Sequence, residues 1–346
     1  MMALVAAMTF AATAVAARKG DSPSPGEINF VDQAGRKIML NKVPERVAII
    51  PPPIPPVFVS IDETTDRLVG VNRSSKMILH DGLIRKFFPN YKDIPIVGNG
   101  YMPNIESLLK VKPDLVFQWV NLGDDIITPI TNAGLKVVAL EGAKDRGTSL
   151  GWFRIIGRVV GNRQKAERLI AWYKAVRERI KIRTDQLADK DKLSVLYFKR
   201  FKTQFNVAGS RGFNNSDIVL AGGRNAASTI PTYYQVVDVE QILKWNPDIV
   251  FLNGFEKNLG PQDVYDNPLL ADVNAVKNKR VYRVLVGAYY WDTPCQEAPL
   301  LWMWMSQCLH PELFHFDLPA EIRRAYGWIY GRTPSDRQIA HILRMP

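Results

Sequence analysis

"NIESLLKVKPDLVFQW" spans Asn104 to Trp119, and "DVEQILKWNPDIVFLN" spans Asp238 to Asn253. Seven of the sixteen aligned positions are identical (Glu, Leu, Lys, Pro, Asp, Val and Phe), at a constant offset of 134 residues. Each copy reads as a short helix, a Pro-Asp turn and a buried strand. In the first, Asn104 suits the N-cap, Pro113 closes the helix, and "DLVFQW" is too apolar for a half-exposed strand. A chain that writes one helix–strand unit twice, so far apart, has two halves built alike.

The patterns between the copies agree. "RVAIIPP" predicts a strand over Arg46 to Ile50, stopped by the proline run Pro51 to Pro56, because proline cannot donate to a ladder. "DRLVGVN" (Asp66 to Asn72) and "AGLKVVAL" (Ala133 to Leu140) predict further strands. From Ser149 the style changes to helix. "SLGWFRIIGRVVG" ends at Gly161, Asn162 caps the next helix, and "RQKAERLIAWYKAVRERIKIRTDQLA" continues for 26 residues, about 39 Å. After Lys192 the strand–helix alternation restarts with "LSVLYF", "SDIVLAGG", the second repeat copy and "KRVYRVL". Such alternation predicts an α/β fold: two lobes, each with a mostly parallel sheet flanked by helices, bridged by a single long helix. The expected divisions are 27–148, the linking helices 149–190, and 191–346.

Composition narrows the function. A chain of 346 residues with 47% hydrophobic content and net charge +11 is globular and basic, which suits either an anionic partner or simple solubility. No basic run is interleaved with aromatics, and "RERIKIR" (Arg177 to Arg183) reads as the wet face of a helix, so no nucleic-acid partner is expected. The start, "MMALVAAMTFAATAVAARKG", is apolar and ends in small residues, as an export signal over 1–17 would. No cysteine follows the cleavage region, so no lipid anchor is expected. Cys295 and Cys308 flank a helical pattern about 20 Å long, too far for a disulfide.

In order and spacing, "VDQAGRKIMLNKVPERVAII", "DRLVGV", "NIESLLKVKPDLVF", "RLIAWY", "VVDVEQILKWNPDIVFL" and "LADVNAVKNKRVYRV" resemble the periplasmic substrate-binding proteins of ABC importers for ferric siderophores, haem and cobalamin. The resemblance covers about Ile28 to Arg332. It implies a periplasmic monomer that carries a ligand between its lobes to an inner-membrane permease dimer. It also implies that Glu106 and Glu240 dock on that permease. Both glutamates fall in a first helical turn, where a carboxylate also favours the helix dipole; the two roles are compatible.

The ligand-binding candidates are sought on loops at the carboxyl ends of strands. They are Arg73, Tyr101 and Trp119 in the first half, and Arg200, Arg211, Tyr233, Tyr234, Tyr290 and Trp291 in the second. Arginine forks suit the oxygens of an anionic chelate, and Tyr and Trp suit its rings. Arg211 resembles an arginine that holds ligand oxygens in siderophore binders, and Tyr290 falls near a pocket tyrosine of the family. The proline run is expected to stiffen the pocket wall. Only four histidines exist, His80, His310, His315 and His341. His310 and His315 are five apart, poor spacing for helical metal ligands, so no metal site of the protein's own and no cofactor is expected. The expected ligand is an Fe(III)-siderophore or similar metal chelate. Haem, with His80 or a cleft tyrosine as axial ligand, comes second and cobalamin third. An exported enzyme is the remaining alternative, but no G-x-S-x-G, Walker or H-E-x-x-H motif is present.

Overall fold

The computed structural model describes residues 27–345 apart from His80, Asp81, Asn121 and Lys144. The expected leader, 1–17, and His80 lie outside these residues. β1 (Ile28–Val31) and β2 (Lys37–Leu40) form an antiparallel hairpin. Then follow β3 (Val47–Ile49), α1 (Ile54–Asp62), β4 (Leu68–Asn72), α2 (Ile84–Phe87), β5 (Ile96–Asn99), β6 (Met102–Pro103), α3 (Ile105–Val111), β7 (Leu115–Trp119), α4 (Thr128–Asn132) and β8 (Val137–Leu140). The six strands from β3 to β8 make one sheet in the order β6–β5–β4–β3–β7–β8, parallel except for β5–β6.

Two long helices come next, α5 (Arg146–Val159) and α6 (Arg163–Thr184). The second half contains β9 (Ser194–Arg200), β10 (Asn206–Ala208), α7 (Phe213–Leu220), β11 (Arg224–Asn225), β12 (Tyr234–Val236), α8 (Val239–Trp245), β13 (Ile249–Leu252), α9 (Pro261–Tyr265), α10 (Asn274–Lys277) and β14 (Val281–Arg283). Its sheet runs β12–β10–β9–β13–β14, with β11 beside β9; β10 is antiparallel to both neighbours. α11 (Ala298–Leu309), α12 (Leu318–Tyr330) and α13 (Asp336–Leu343) complete the chain.

The repeat is α3–β7 in one half and α8–β13 in the other. Asn104 and Asp238 cap the two helices, each accepting a backbone N–H at 2.8 Å. Both helices end on a left-handed residue, Lys112 at φ 45° and Asn246 at φ 42°. Leu108 and Ile242 fill equivalent buried sites. The shared aspartate explains the Pro-Asp turn. Asp114 accepts the N–H groups of Glu45 and Arg46 ahead of β3, and Asp248 accepts that of Ser194 at the head of β9. Each copy therefore fixes the start of the strand beside it.

Side-chain parity in the central strands sorts the core into layers. Val47, Ile49, Leu115, Phe117, Val195, Tyr197, Ile249 and Phe251 belong to one continuous core that spans both halves. Their alternates face separate outer cores: Ala48, Ile50 and Val116 in the first half, and Leu196, Phe198, Val250 and Leu252 in the second. The shared layer also takes in Trp152 and Phe153 of α5, Tyr173 of α6, Trp302 of α11 and Tyr326 of α12.

The expected 26-residue bridge is a 22-residue helix, α6, about 33 Å long. It packs against α5, α7 and α11. It does not join the halves alone. Phe87 and Phe88 of the first half pack against Tyr326 and Tyr330 of α12, and the Leu83 N–H donates to the Gly287 carbonyl at 2.9 Å. The proline run also differs from the expected loop. Residues 51–53 turn, but Ile54 starts α1 with Pro55 and Pro56 in its first turn, where proline costs no hydrogen bond and its φ is already helical. Cys295 and Cys308 are free thiols.

Candidate functional site

A cavity of about 540 Å³ opens where both sheets present the carboxyl ends of their strands, within the range of small-molecule sites. Pro52 and Pro53 from the β3–α1 turn, Tyr101, and Trp119 at the end of β7 line it from the first half. Lys199 and Arg200 at the end of β9, with Phe213, Tyr233, Tyr234, Phe255, Tyr289 and Tyr290, line it from the second. No acidic residue is among the described lining residues.

Six of the nine ligand candidates from the sequence meet here: Tyr101, Trp119, Arg200, Tyr233, Tyr234 and Tyr290. Tyr101 and Tyr233 are exposed at 56% and 44%, so their rings are free to cover a ligand. Trp119 packs against Trp152 in a tilted pair, 5.4 Å between centroids. The Tyr234 hydroxyl donates to Asn214 Oδ1 at 2.8 Å. Burial pushes the Tyr234 and Tyr289 phenols well above their usual pKa, so both stay protonated at neutral pH.

Three candidates lie elsewhere. Trp291 is fully buried in the shared core, its Nε1–H given to Glu297 Oε2 at 2.6 Å. Arg73 is exposed in the turn after β4, and Arg211 is exposed just before α7; neither lines the cavity. Strand-end logic finds the right loops but not which way a side chain leaves them. His310 is buried beside the Gly222 carbonyl in the second half, and His315 is exposed. Among the described residues no cluster of three His, Cys, Asp or Glu side chains is placed to hold a metal.

Lys199 was missed in the sequence, although its parity was readable. Val195 and Tyr197 face the shared core, so Lys199 extends the same row to the point where the sheet meets the cleft. Its Nζ lies 4.9 Å from the Tyr234 ring centroid and 4.6 Å from that of Phe255. Arg200 Cζ lies 4.7 Å from the Phe255 centroid. These rings supply cation–π attraction to both charges. Burial lowers the Lys199 pKa, with Asp292 opposing and Arg200 adding to the effect.

Two buried carboxylates shape the cleft wall from behind. Asp292 accepts the Tyr197 hydroxyl at 2.8 Å and the Gly254 N–H at 2.7 Å. Glu297 accepts the N–H groups of Ala288 and Tyr289, the indole of Trp291 and the hydroxyls of Tyr326 and Tyr330. It thereby holds the Tyr289–Tyr290 wall to α12. Gly287 is obligatory beside it: a Cβ there would sit 2.0 Å from Glu297 Oε2 and from the Tyr326 hydroxyl. Tyr289 reaches across the cleft, giving its hydroxyl to the Pro52 carbonyl at 3.3 Å. The proline turn is thus part of the wall, as the sequence suggested.

A further tie between the halves is Arg146, at the start of α5. It makes two bonds to Asp217 of α7, at 3.0 and 2.6 Å, and one to the Thr293 carbonyl at 2.5 Å. Burial alone would lower its pKa, but the Asp217 charge and hydrogen bonds outweigh burial and hold it above the ordinary value. Its guanidinium also faces the ring of Phe213, a cavity-lining residue.

A cleft lies between two α/β halves, with the repeat unit in each, and residues 61–284 match the model of the periplasmic binding protein family. The chain belongs to this family. It is 26% identical over 328 residues to the molybdate-binding protein MolA of Haemophilus influenzae, covering 87% of this chain and 90% of MolA. The structure of MolA bound to molybdate shares the fold, with a TM-score of 0.79 at 21% identity over 89% of this chain and 99% of that one. A periplasmic solute-binding protein of Veillonella parvula gives a TM-score of 0.83 at 26% identity, covering 92% of this chain and 98% of that one. The Fe(3+)-citrate-binding protein YfmC of Bacillus subtilis is 24% identical over 200 residues, 58% of this chain and 62% of YfmC. The first repeat helix and the second both expose their glutamate, Glu106 and Glu240, at the surface; Glu106 pairs with Lys110 at 2.7 Å.

Proposed function

We propose that this binding protein captures an anionic metal chelate, foremost a ferric siderophore, and delivers it to an ABC permease in the inner membrane. One observation carries the reading: the cleft sets two cations, Lys199 and Arg200, among aromatic rings, with no described lining residue of opposite charge. An anionic chelate offers both the negative oxygens and the organic shell that such walls complement. The metal arrives already chelated, since among the described residues no cluster of three His, Cys, Asp or Glu side chains is placed to hold it bare. The protein acts as a carrier and not a catalyst, and it works as a monomer. Glu106 and Glu240, presented alike by the two halves, dock on a two-fold symmetric permease, where repeated charge sets register and encounter rate.

A second reading follows from MolA. A bare oxyanion such as molybdate would also satisfy Lys199 and Arg200, but it would leave most of the aromatic wall without contacts.

The test is a tryptophan fluorescence titration, since Trp119 and Trp152 both line the cavity. Ferric hydroxamate, catecholate and citrate chelates, molybdate, haem and cyanocobalamin are added in turn, with metal-free chelators as controls. Saturable quenching by one ferric chelate, without product formation, is expected. Binding of molybdate alone selects the second reading. Binding of haem or cobalamin alone, or turnover of any chelate, refutes the proposal.

A further inference from the structure

Lysine is among the residues least often buried without a partner. Lys199 is nevertheless held between the Tyr234 and Phe255 rings at the base of the cleft. No acceptor within hydrogen-bond reach and no carboxylate within ion-pair distance of its Nζ is present among the described residues. The charged and titratable groups facing it are few. Arg200 shares its strand and also lies against the ring of Phe255. Asp292, whose charge opposes the effect of burial on Lys199, accepts from Tyr197 and Gly254 through Oδ2 and has no partner among the described residues for Oδ1. Glu256 is bound to the N–H groups of Phe201 and Lys202. The Tyr234 phenol is committed to Asn214. An ammonium can donate three hydrogen bonds, and the protein supplies this one with ring faces instead.

We propose that Lys199 reads the charge of the ligand: an anion in the cleft completes the missing hydrogen bonds of Nζ, and its binding draws a proton from solvent onto that amine. The inference rests on the reading of the cleft as an anion site and adds a proton to the binding reaction. The direction of linkage follows from the environment. Burial lets the free site lose its proton below the pH at which an ordinary lysine does, and an adjacent anion reverses that loss. Affinity is therefore level at low pH. It falls as pH rises above the free-site value, by up to about tenfold per pH unit, until the bound-site value is reached. Neutral ligands gain less from Lys199, so the same group favours anionic over uncharged chelates.

The experiment is isothermal calorimetry of the mature protein with a ferric catecholate chelate, in buffers of different ionisation enthalpy, between about pH 6 and 10. Wild type should take up a growing fraction of one proton as pH rises. Lys199→Met should bind about tenfold to a hundredfold more weakly, the loss of a charge-assisted hydrogen bond, with no linked uptake. Lys199→Arg keeps a charge that does not titrate, and should bind without uptake. Wild-type affinity in Lys199→Met, or uptake that persists in either variant, overturns the inference while leaving the cleft reading intact. A wild-type protein that binds no anionic chelate overturns both.

Discussion

Replacing Arg146 with alanine tests whether the two halves are held together by charge as well as by core. Asp217 is 1% exposed and would keep only the Trp302 indole, at 2.7 Å, as a side-chain donor. Leaving one partner of a buried ion pair uncompensated costs about 3–5 kcal/mol. The Thr293 carbonyl, deprived of its 2.5 Å bond, adds about 1 kcal/mol. Removing both charges should be milder, because an apolar pair of similar volume avoids the desolvation penalty. The assay is equilibrium unfolding in guanidinium, followed by tryptophan fluorescence, of wild type, Arg146→Ala, and Arg146→Met with Asp217→Leu. One transition is expected, since the core is shared by both halves. The double variant should recover about half of the lost stability yet still bind ligand more weakly, since Tyr290 and Thr293 line the cleft. A loss below about 1 kcal/mol in Arg146→Ala would refute the reasoning, as would a double variant no more stable than the single one.

Gly287→Ala forces a methyl group into the Glu297–Tyr326 contact and should cost about 2 kcal/mol or more, with weaker ligand binding, as read by thermal melting and titration. Wild-type melting would show that the Tyr289–Tyr290 wall does not depend on that packing. Glu106→Ala with Glu240→Ala should leave ligand affinity unchanged and abolish uptake in cells carrying the cognate permease. Undiminished uptake would remove both residues from docking.

The repeat was the most legible part of the chain because local rules wrote it twice. A capping Asn or Asp and one buried aliphatic act within one helix, and the Asp that pins the neighbouring strand follows within the same dozen residues. The same locality explains two of the candidates that line the cavity: Tyr101 follows the end of β5, and Trp119 ends β7. The errors arise where direction or distance in sequence matters. Pro51 follows the end of β3 as expected, but Pro55 and Pro56, read as part of the same strand stop, sit in the first turn of a helix. Arg211 and Arg73 sit on the expected loops and point to solvent, while Trp291 turns inward to meet Glu297. Glu297 itself gave no local signal. Its partners come from residues 288–291 and from Tyr326 and Tyr330, and only the fold brings them together.

Those distant contacts determine how the cleft works. A cleft between lobes joined by one helix would close on its ligand and lose affinity to the ordering of its walls. Here Glu297 fixes one wall, the Tyr289–Pro52 bond spans the cleft, and Arg146 ties α5 to α7 and to Thr293. Walls ordered in advance leave less entropy to lose on binding. The cost has already been met in folding, in the form of two buried carboxylates and a desolvated lysine. The packing energy that burial of so many aromatic rings supplies helps to hold Lys199 against the Tyr234 and Phe255 rings.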